Sequence, residues 1–183
     1  MNTKYEFVPG DEITIAPGRT VKRIRALVAI SYFASAGSLG GYIESEKCLD
    51  QSGNAWVSGN ARVYGDARVY GNAWVSGDAW VSGDARVSGF ARVSGNAQVH
   101  RDGLIFWASK VGTENGTLTV YNTKDETLEV TRGCFRGSVD EFLAASESKH
   151  DDATHLEYRL LIEVAHSRIT RARANTVNPE AKK

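Results

Sequence analysis

GNAWVS GNARVY GDARVY GNAWVS GDAWVS GDARVS GFARVS GNAQVH, running from Gly53 to His100, is one six-residue template written eight times. Val57, Val63, Val69, Val75, Val81, Val87, Val93 and Val99 stand in register, and Ala precedes each by two places. Six residues turn an α-helix through about 600°, which is not a whole number of turns, so a helix would scatter these valines around its circumference. In a strand, Ala and Val two apart project from one side and the variable residue between them from the other. Gly followed by Asn or Asp supplies a corner, because these residues tolerate the positive φ of a tight bend. Short strand and corner in alternation make a solenoid. No block buries its single valine alone, whereas stacked coils place Val on Val and Ala on Ala along a continuous interior.

A Val at every sixth place with a small residue two before it resembles the hexapeptide-repeat left-handed β-helix proteins. That resemblance, and not the periodicity, implies a left-handed triangular prism with three blocks to an 18-residue coil. The spacing argues against pentapeptide-repeat helices, and a bactofilin-like β-helix is a competing solenoid. A narrower resemblance lies in the flanks. RIRAL at 23–27, SLGGYIESEKCLDQSGNAWV at 38–57 and TLTVYNTKDETLEVTRGCFRGSVDEF at 117–142 are similar to segments of repeat proteins found in bacteriophages and prophages. It implies a phage setting and no particular chemistry.

The expected fold class is mainly β, a single-stranded left-handed β-helix with a small C-terminal α+β cap. Residues 1–38 read as a β lead-in, with EITIA and VKRIRALVAI as strands and Pro17-Gly18 as the turn between them. The β-helix spans 39–103. Its first coil is imperfect: Ile43 and Leu49 are six apart and Val57 follows after eight, which predicts a two-residue bulge in a coil that closes the open end. Residues 104–170 form an α+β unit in which LIFWAS, GTLTVYN and ETLEVT are antiparallel strands. Two helices follow, with capping boxes at Ser138/Glu141 and Thr154/Glu157. In the second, Leu156, Leu160, Leu161 and Val164 share the apolar face. Residues 171–183 read as a disordered tail.

The formal net charge is zero, with 22 Lys+Arg against 22 Asp+Glu, so bulk electrostatics supply no case for nucleic acid or membrane. There is no signal-peptide pattern and no long apolar run, which points to the cytoplasm of a host bacterium. Cys48 and Cys134 have no metal spacing and read as reduced, buried thiols.

With an 18-residue coil, the outward positions stack in columns roughly 4.8 Å apart. The first column is Trp56, Trp74 and Arg92, the second Arg62, Trp80 and Gln98, and the third Arg68 over Arg86. So much exposed Trp predicts burial against something. A homo-oligomer, trimer or multiple of it, would hide all three walls about one axis. Aromatic planes with Arg forks also suit a flat anionic ligand such as a nucleotide. The candidate ligand-binding residues are therefore Trp56, Arg62, Arg68, Trp74, Trp80, Arg86 and Arg92. Asp66 and Asp84, two residues before the stacked arginines, stand ready to neutralise them.

Hexapeptide-repeat helices include acyltransferases, which use a histidine as general base. Here the repeats contain only His100, while His150, His155 and His166 lie in the helical segment, away from the three converging histidines of a zinc hydratase. No phosphate loop, G-x-S-x-G elbow or HExxH occurs. The expected function is a non-catalytic oligomeric binding protein of phage origin with no cofactor and no metal. It would counteract a host defence system by sequestering a nucleotide-type signal or by occupying a host protein. In the latter case Phe106, Trp107, Phe135 and Arg136 are the contact surface. An acyltransferase-like enzyme is the alternative in the enzyme class, and a scaffold β-helix the alternative in the structural class.

Overall fold

The computed structural model describes residues 3–177. The described residues form two compact units, which divide between Asp102 and Gly103.

The first unit begins with a hairpin of β1 (Tyr5–Ala16) and β2 (Arg19–Ala26), turned at Pro17-Gly18 as the sequence predicts. β3 (Leu39–Ile43) pairs antiparallel with β2 on one edge. The repeats supply eight two-residue strands: β4 (Trp56–Val57), β5 (Arg62–Val63), β6 (Arg68–Val69), β7 (Trp74–Val75), β8 (Trp80–Val81), β9 (Arg86–Val87), β10 (Arg92–Val93) and β11 (Gln98–Val99). They sort into three parallel faces, β3-β5-β8-β11, β4-β7-β10 and β6-β9. Partners within the repeats are 18 residues apart, as in Arg62 with Trp80 and Trp80 with Gln98. The coil is therefore three-sided, and the three expected columns all form.

The interior is the stacked Val and Ala: all eight repeat valines are fully buried. Burying a Val contributes roughly 1.5 kcal/mol or more, so stacking supplies what an isolated block lacks. Main-chain bonds knit each coil to the next, as in Trp56 N–H to Ala73 O (2.9 Å) and Ser58 N–H to Val75 O (2.9 Å). The corners follow from the invariant Gly. Gly77 has φ +68°, and a Cβ there would come within 2.8 Å of Gly95 N in the next coil. Asn and Asp behind the glycines form their own ladder, Asn54 Nδ2 donating to Asn72 Oδ1 and Asn60 Nδ2 to Asp78 Oδ1.

The first coil carries the expected bulge. Ile43 is the partner of Val63 and Leu49 of Val69, 20 residues apart, whereas Val57 and Val75 are 18 apart. The two extra residues fall between Leu49 and Val57. The lead-in hairpin continues the β3-β5-β8-β11 face beyond that coil.

The second unit is an antiparallel meander of β12 (Ile105–Val111), β13 (Gly116–Asn122), β14 (Leu128–Arg132) and β15 (Phe135–Ser138), followed by α1 (Val139–Lys149) and α2 (Asp152–Val177). β15 is a fourth strand that the sequence reading lacks. It returns through the Gly133-Cys134 turn, with Gly133 at φ +58° and Arg132 opposite Phe135. The core includes Leu118, Val120, Tyr121, Val130, Phe142, Tyr158, Ile162, Ala165 and Ile169.

Ser138 and Glu141 form the expected capping box at α1, Ser138 N–H donating to Glu141 Oε2 at 2.8 Å and Glu141 N–H to Ser138 Oγ at 3.2 Å. At α2 two expectations are corrected. Asp151, not Thr154, caps the helix, its Oδ1 accepting from Thr154 N–H at 2.9 Å. The buried face is Thr154, Tyr158, Ile162, Ala165 and Ile169, and Leu156, Leu160 and Val164 are exposed. Tyr158 outbids the leucines because its ring packs on Phe142 and its hydroxyl accepts from Arg132 Nε (3.0 Å), a bond that the leucines cannot make. The expected disordered tail is also corrected over 171–177, which continue α2; residues 178–183 lie outside the described residues.

Candidate functional site

The outward residues of the three faces meet different fates, and the difference locates the site. On the β4-β7-β10 face, Trp56 is 1% exposed, which corrects the expectation of an open Trp wall. Gly40 in β3 is what admits its indole: a Cβ there would lie 2.7 Å from Trp56 Cζ2 and 2.6 Å from Ile24. Trp74 is covered from the lead-in by Phe33, stacked at 5.1 Å and 29°, and its Nε1 donates to Ser58 Oγ at 2.9 Å. Arg92 lies 5.9 Å from the Trp74 ring and donates to the Tyr32 hydroxyl (3.4 Å).

The second face is occupied in the same manner. Trp80 carries the Arg62 guanidinium at 4.9 Å over its ring and Tyr64 at its edge. Arg19 reaches Tyr64 (5.4 Å) and pairs with Glu44 (3.2 Å). Below Arg62 stands Tyr42, whose ring bears Arg23 at 4.1 Å and whose hydroxyl donates to Asp11. The Trp/Arg walls are thus largely covered within the chain, by cation–π stacking and by the lead-in, although Arg62 Nε is buried with no hydrogen-bond partner among the described residues. A trimer is not needed to cover them.

The β6-β9 face is different. Arg68 and Arg86 are register partners, both exposed, and among the described residues neither forms an ion pair. Asp66 and Asp84 therefore do not neutralise them as expected. Beside the arginines lies a cleft of about 600 Å³ lined by Glu46, Lys47, Asp50, Gln51, Arg68, Val69, Tyr70 and Arg86. Its floor is built by the first coil. Asp50 N–H donates to Val69 O (3.0 Å), which brings the Glu46–Gln51 segment alongside Tyr70. The Asp50 carboxyl is held below its usual range, chiefly by the Ser52 backbone N–H at 3.1 Å, with Ser52 Oγ and Lys4 assisting. Gln51 accepts from Lys4 N–H through Oε1, while its buried Nε2 has no hydrogen-bond partner among the described residues. The cleft thus offers two guanidiniums and an ammonium to an anion, a phenol ring for stacking, and carboxylates to accept from hydrogen-bond donors.

Of the seven sequence-predicted ligand residues, this cleft brings together Arg68 and Arg86 only. Trp56 is sealed, and Trp74, Trp80, Arg62 and Arg92 stack on one another or on the lead-in. Lys47, Asp50, Gln51 and Tyr70 are lining residues that sequence reasoning missed, although the register of Leu49 with Val69 was the signal that places the first three there.

Other sequence candidates fall in the second unit. Phe135 packs edge-on against Phe142 at 5.3 Å, and Arg136 is tied to Glu129. His150 leans on Tyr158 and His155 Nδ1 meets Ser146 Oγ at 3.3 Å. Among the described residues no group of three or more His, Cys, Asp or Glu could hold a metal ion. Cys48 is buried as expected, but Cys134, in its hairpin turn, is exposed. Among the described residues no helix is long and apolar enough to cross a membrane.

A family model described as the YdcK beta solenoid repeat matches residues 55–69, 61–77, 67–83 and 85–101. The repeat stretch has a YdcK-type β-solenoid fold. The matched residues run from 55 to 101, so this likeness concerns the repeat coils and neither the Glu46–Gln51 segment of the first coil that floors the cleft nor the C-terminal α+β unit. No curated protein matches the chain.

Proposed function

We propose that this is a non-catalytic binding protein of phage origin that holds a nucleotide-type anion in the cleft over Arg68 and Arg86, and thereby removes a signal on which a host defence system depends. The observation that carries the ligand class is the register pair of exposed arginines, neither of which forms an ion pair among the described residues, beside a cleft large enough for a nucleotide. Like charges one strand spacing apart are unfavourable unless something neutralises them, and a phosphate accepts from both forks at once. Tyr70 supplies the stacking plane, and the Asp50 carboxylate accepts from a base or ribose. The phage setting rests on the lead-in and post-repeat segments, whose sequences resemble those of phage repeat proteins.

Native mass spectrometry of the protein purified gently from infected, defence-bearing bacteria tests the proposal, followed by denaturation and mass analysis of released small molecules. A stoichiometric nucleotide that is lost in an Arg68→Gln/Arg86→Gln variant supports it. A ligand-free protein overturns it and directs the search to a host protein partner, as does a nucleotide that survives the double substitution.

A further inference from the structure

α2 turns a second apolar stripe away from its own unit. Leu156 is 43%, Leu160 51% and Val164 48% exposed, although Tyr158, Ile162, Ala165 and Ile169 already bury the opposite face. Ala153 and Ser167, also exposed, extend the stripe by a turn at each end, so that small or apolar residues recur at 153, 156, 160, 164 and 167. Spacings of three and four keep these positions on one line along a helix. Three large aliphatic side chains in a row, each about half exposed, are the seam that a partner helix covers, and they are not explained by the packing of the unit itself.

The charges beside the stripe say which helix. Exposed acids, Asp152 and Glu163, occupy the first half of α2, whereas exposed Arg168 and Arg171 occupy the second, with Arg159 before the midpoint. A parallel copy would bring the acids of the two first halves to one end of the pair and the arginines of the two second halves to the other. An antiparallel copy centred on Leu160 sets Leu156 against Val164, Leu160 against itself, and Glu163 next to Arg159 on the same flank of the seam. It also aligns each helix's positive end with the other's negative end. The same surface then meets itself about a twofold axis, as isologous dimers require. We infer that α2 pairs antiparallel with the α2 of a second copy across Leu156, Leu160 and Val164. This reading is independent of the ligand proposed above.

Sedimentation of the full chain over a concentration series reads the assembly. The expected result is a concentration-dependent dimer, or an even-numbered assembly, that Leu160→Glu weakens at least a hundredfold while circular dichroism stays unchanged, because the position is exposed. Glu163→Arg should weaken pairing about tenfold, and adding Arg159→Glu should restore it. In a Cys134→Ser background, Leu160→Cys should cross-link to itself. Leu156→Cys should cross-link to Val164→Cys when the two are mixed, and not to itself. A monomer at all concentrations, an assembly indifferent to Leu160→Glu, or a 156-to-156 cross-link each overturns the inference.

Discussion

Arg68 stands one coil from Arg86 in strict register, and among the described residues no carboxylate lies within ion-pair distance of either. Facing like charges on adjacent strands cost roughly 0.2–1 kcal/mol. Arg86→Gln should therefore stabilise the unliganded protein by up to about 1 kcal/mol at low ionic strength, and the gain should shrink as salt screens the pair. Urea denaturation at two salt concentrations measures this. A variant less stable than the parent at low salt would mean that the chain neutralises the pair itself, and the case for an anion would lose its footing.

The LGGYI segment can be tested as a lock. Gly40 lets the Trp56 indole, Ile24 and the Val57 carbonyl approach to where a Cβ would sit, at 2.7, 2.6 and 2.8 Å. One of these neighbours is backbone and another a buried ring, so none moves cheaply. Gly40→Ala should cost about 1–3 kcal/mol, the usual penalty of overpacking a filled site. Chemical denaturation reads the loss, and a cost below about 0.5 kcal/mol would show that the lead-in gives way around an added methyl.

Lys4 gives the protein a pH-dependent stability with a calculable sign. Its ammonium is buried against Asp50 O (2.6 Å) and Ser52 O, and burial pulls its pKa from 10.5 to about 8 despite the attraction of Asp50. Between these values the unfolded chain holds a proton that the folded chain has shed, so stability rises with pH through this window. The rise should be roughly 2 kcal/mol from pH 8 to 10. Above that, Tyr5 reverses the slope. Burial first, and then Glu46, raises its hydroxyl pKa, so the folded chain keeps a proton that the unfolded chain loses. Stability should peak near pH 10, and Lys4→Met should flatten the rising limb while leaving the fall. Thermal melts across this range check both, and a parent protein whose stability declines steadily from pH 8 would place Lys4 in water.

What the sequence made legible was whatever repeats. The six-residue period fixes the strands, the inward Val and Ala, the corners and the three outward columns, because each coil repeats the same local decision. Even the irregular first coil could be read, since Ile43, Leu49 and Val57 keep the register apart from two residues. What was not legible depends on non-repeating contacts. Nothing in the period says that Phe33 and Arg92 would close over Trp74, or that Gly40 would seal Trp56, so the Trp walls read as open. The α2 face failed for a related reason. Two apolar lines run along the helix, and only the Phe142 ring and the Arg132 bond to Tyr158 decide which one is inside. The candidate site was half visible, in Arg68 and Arg86, and half supplied by the irregular first coil, Glu46 to Gln51, outside the six-residue repeat.

Two phenylalanines on the solenoid unit separate a cover from an ornament. Phe33 stacks on Trp74 at 5.1 Å, with Tyr32 tilted against it at 4.7 Å, whereas Phe90, in the one block lacking Asn or Asp, is 58% exposed. An aromatic pair contributes about 0.5–1.5 kcal/mol beyond its buried area, so with the lost burial Phe33→Ala should cost about 2 kcal/mol. Phe90→Ala should stay within about 0.5 kcal/mol of the parent, as surface changes usually do. Quenching gives a second readout that stability alone does not. Trp56 is sealed, so uncovering Trp74 should raise the fraction of fluorescence accessible to acrylamide in Phe33→Ala and leave it unchanged in Phe90→Ala. Equal quenching in the two variants would mean that the lead-in does not hold Phe33 over the wall in solution. Trp74 would then return to the set of residues open to a ligand.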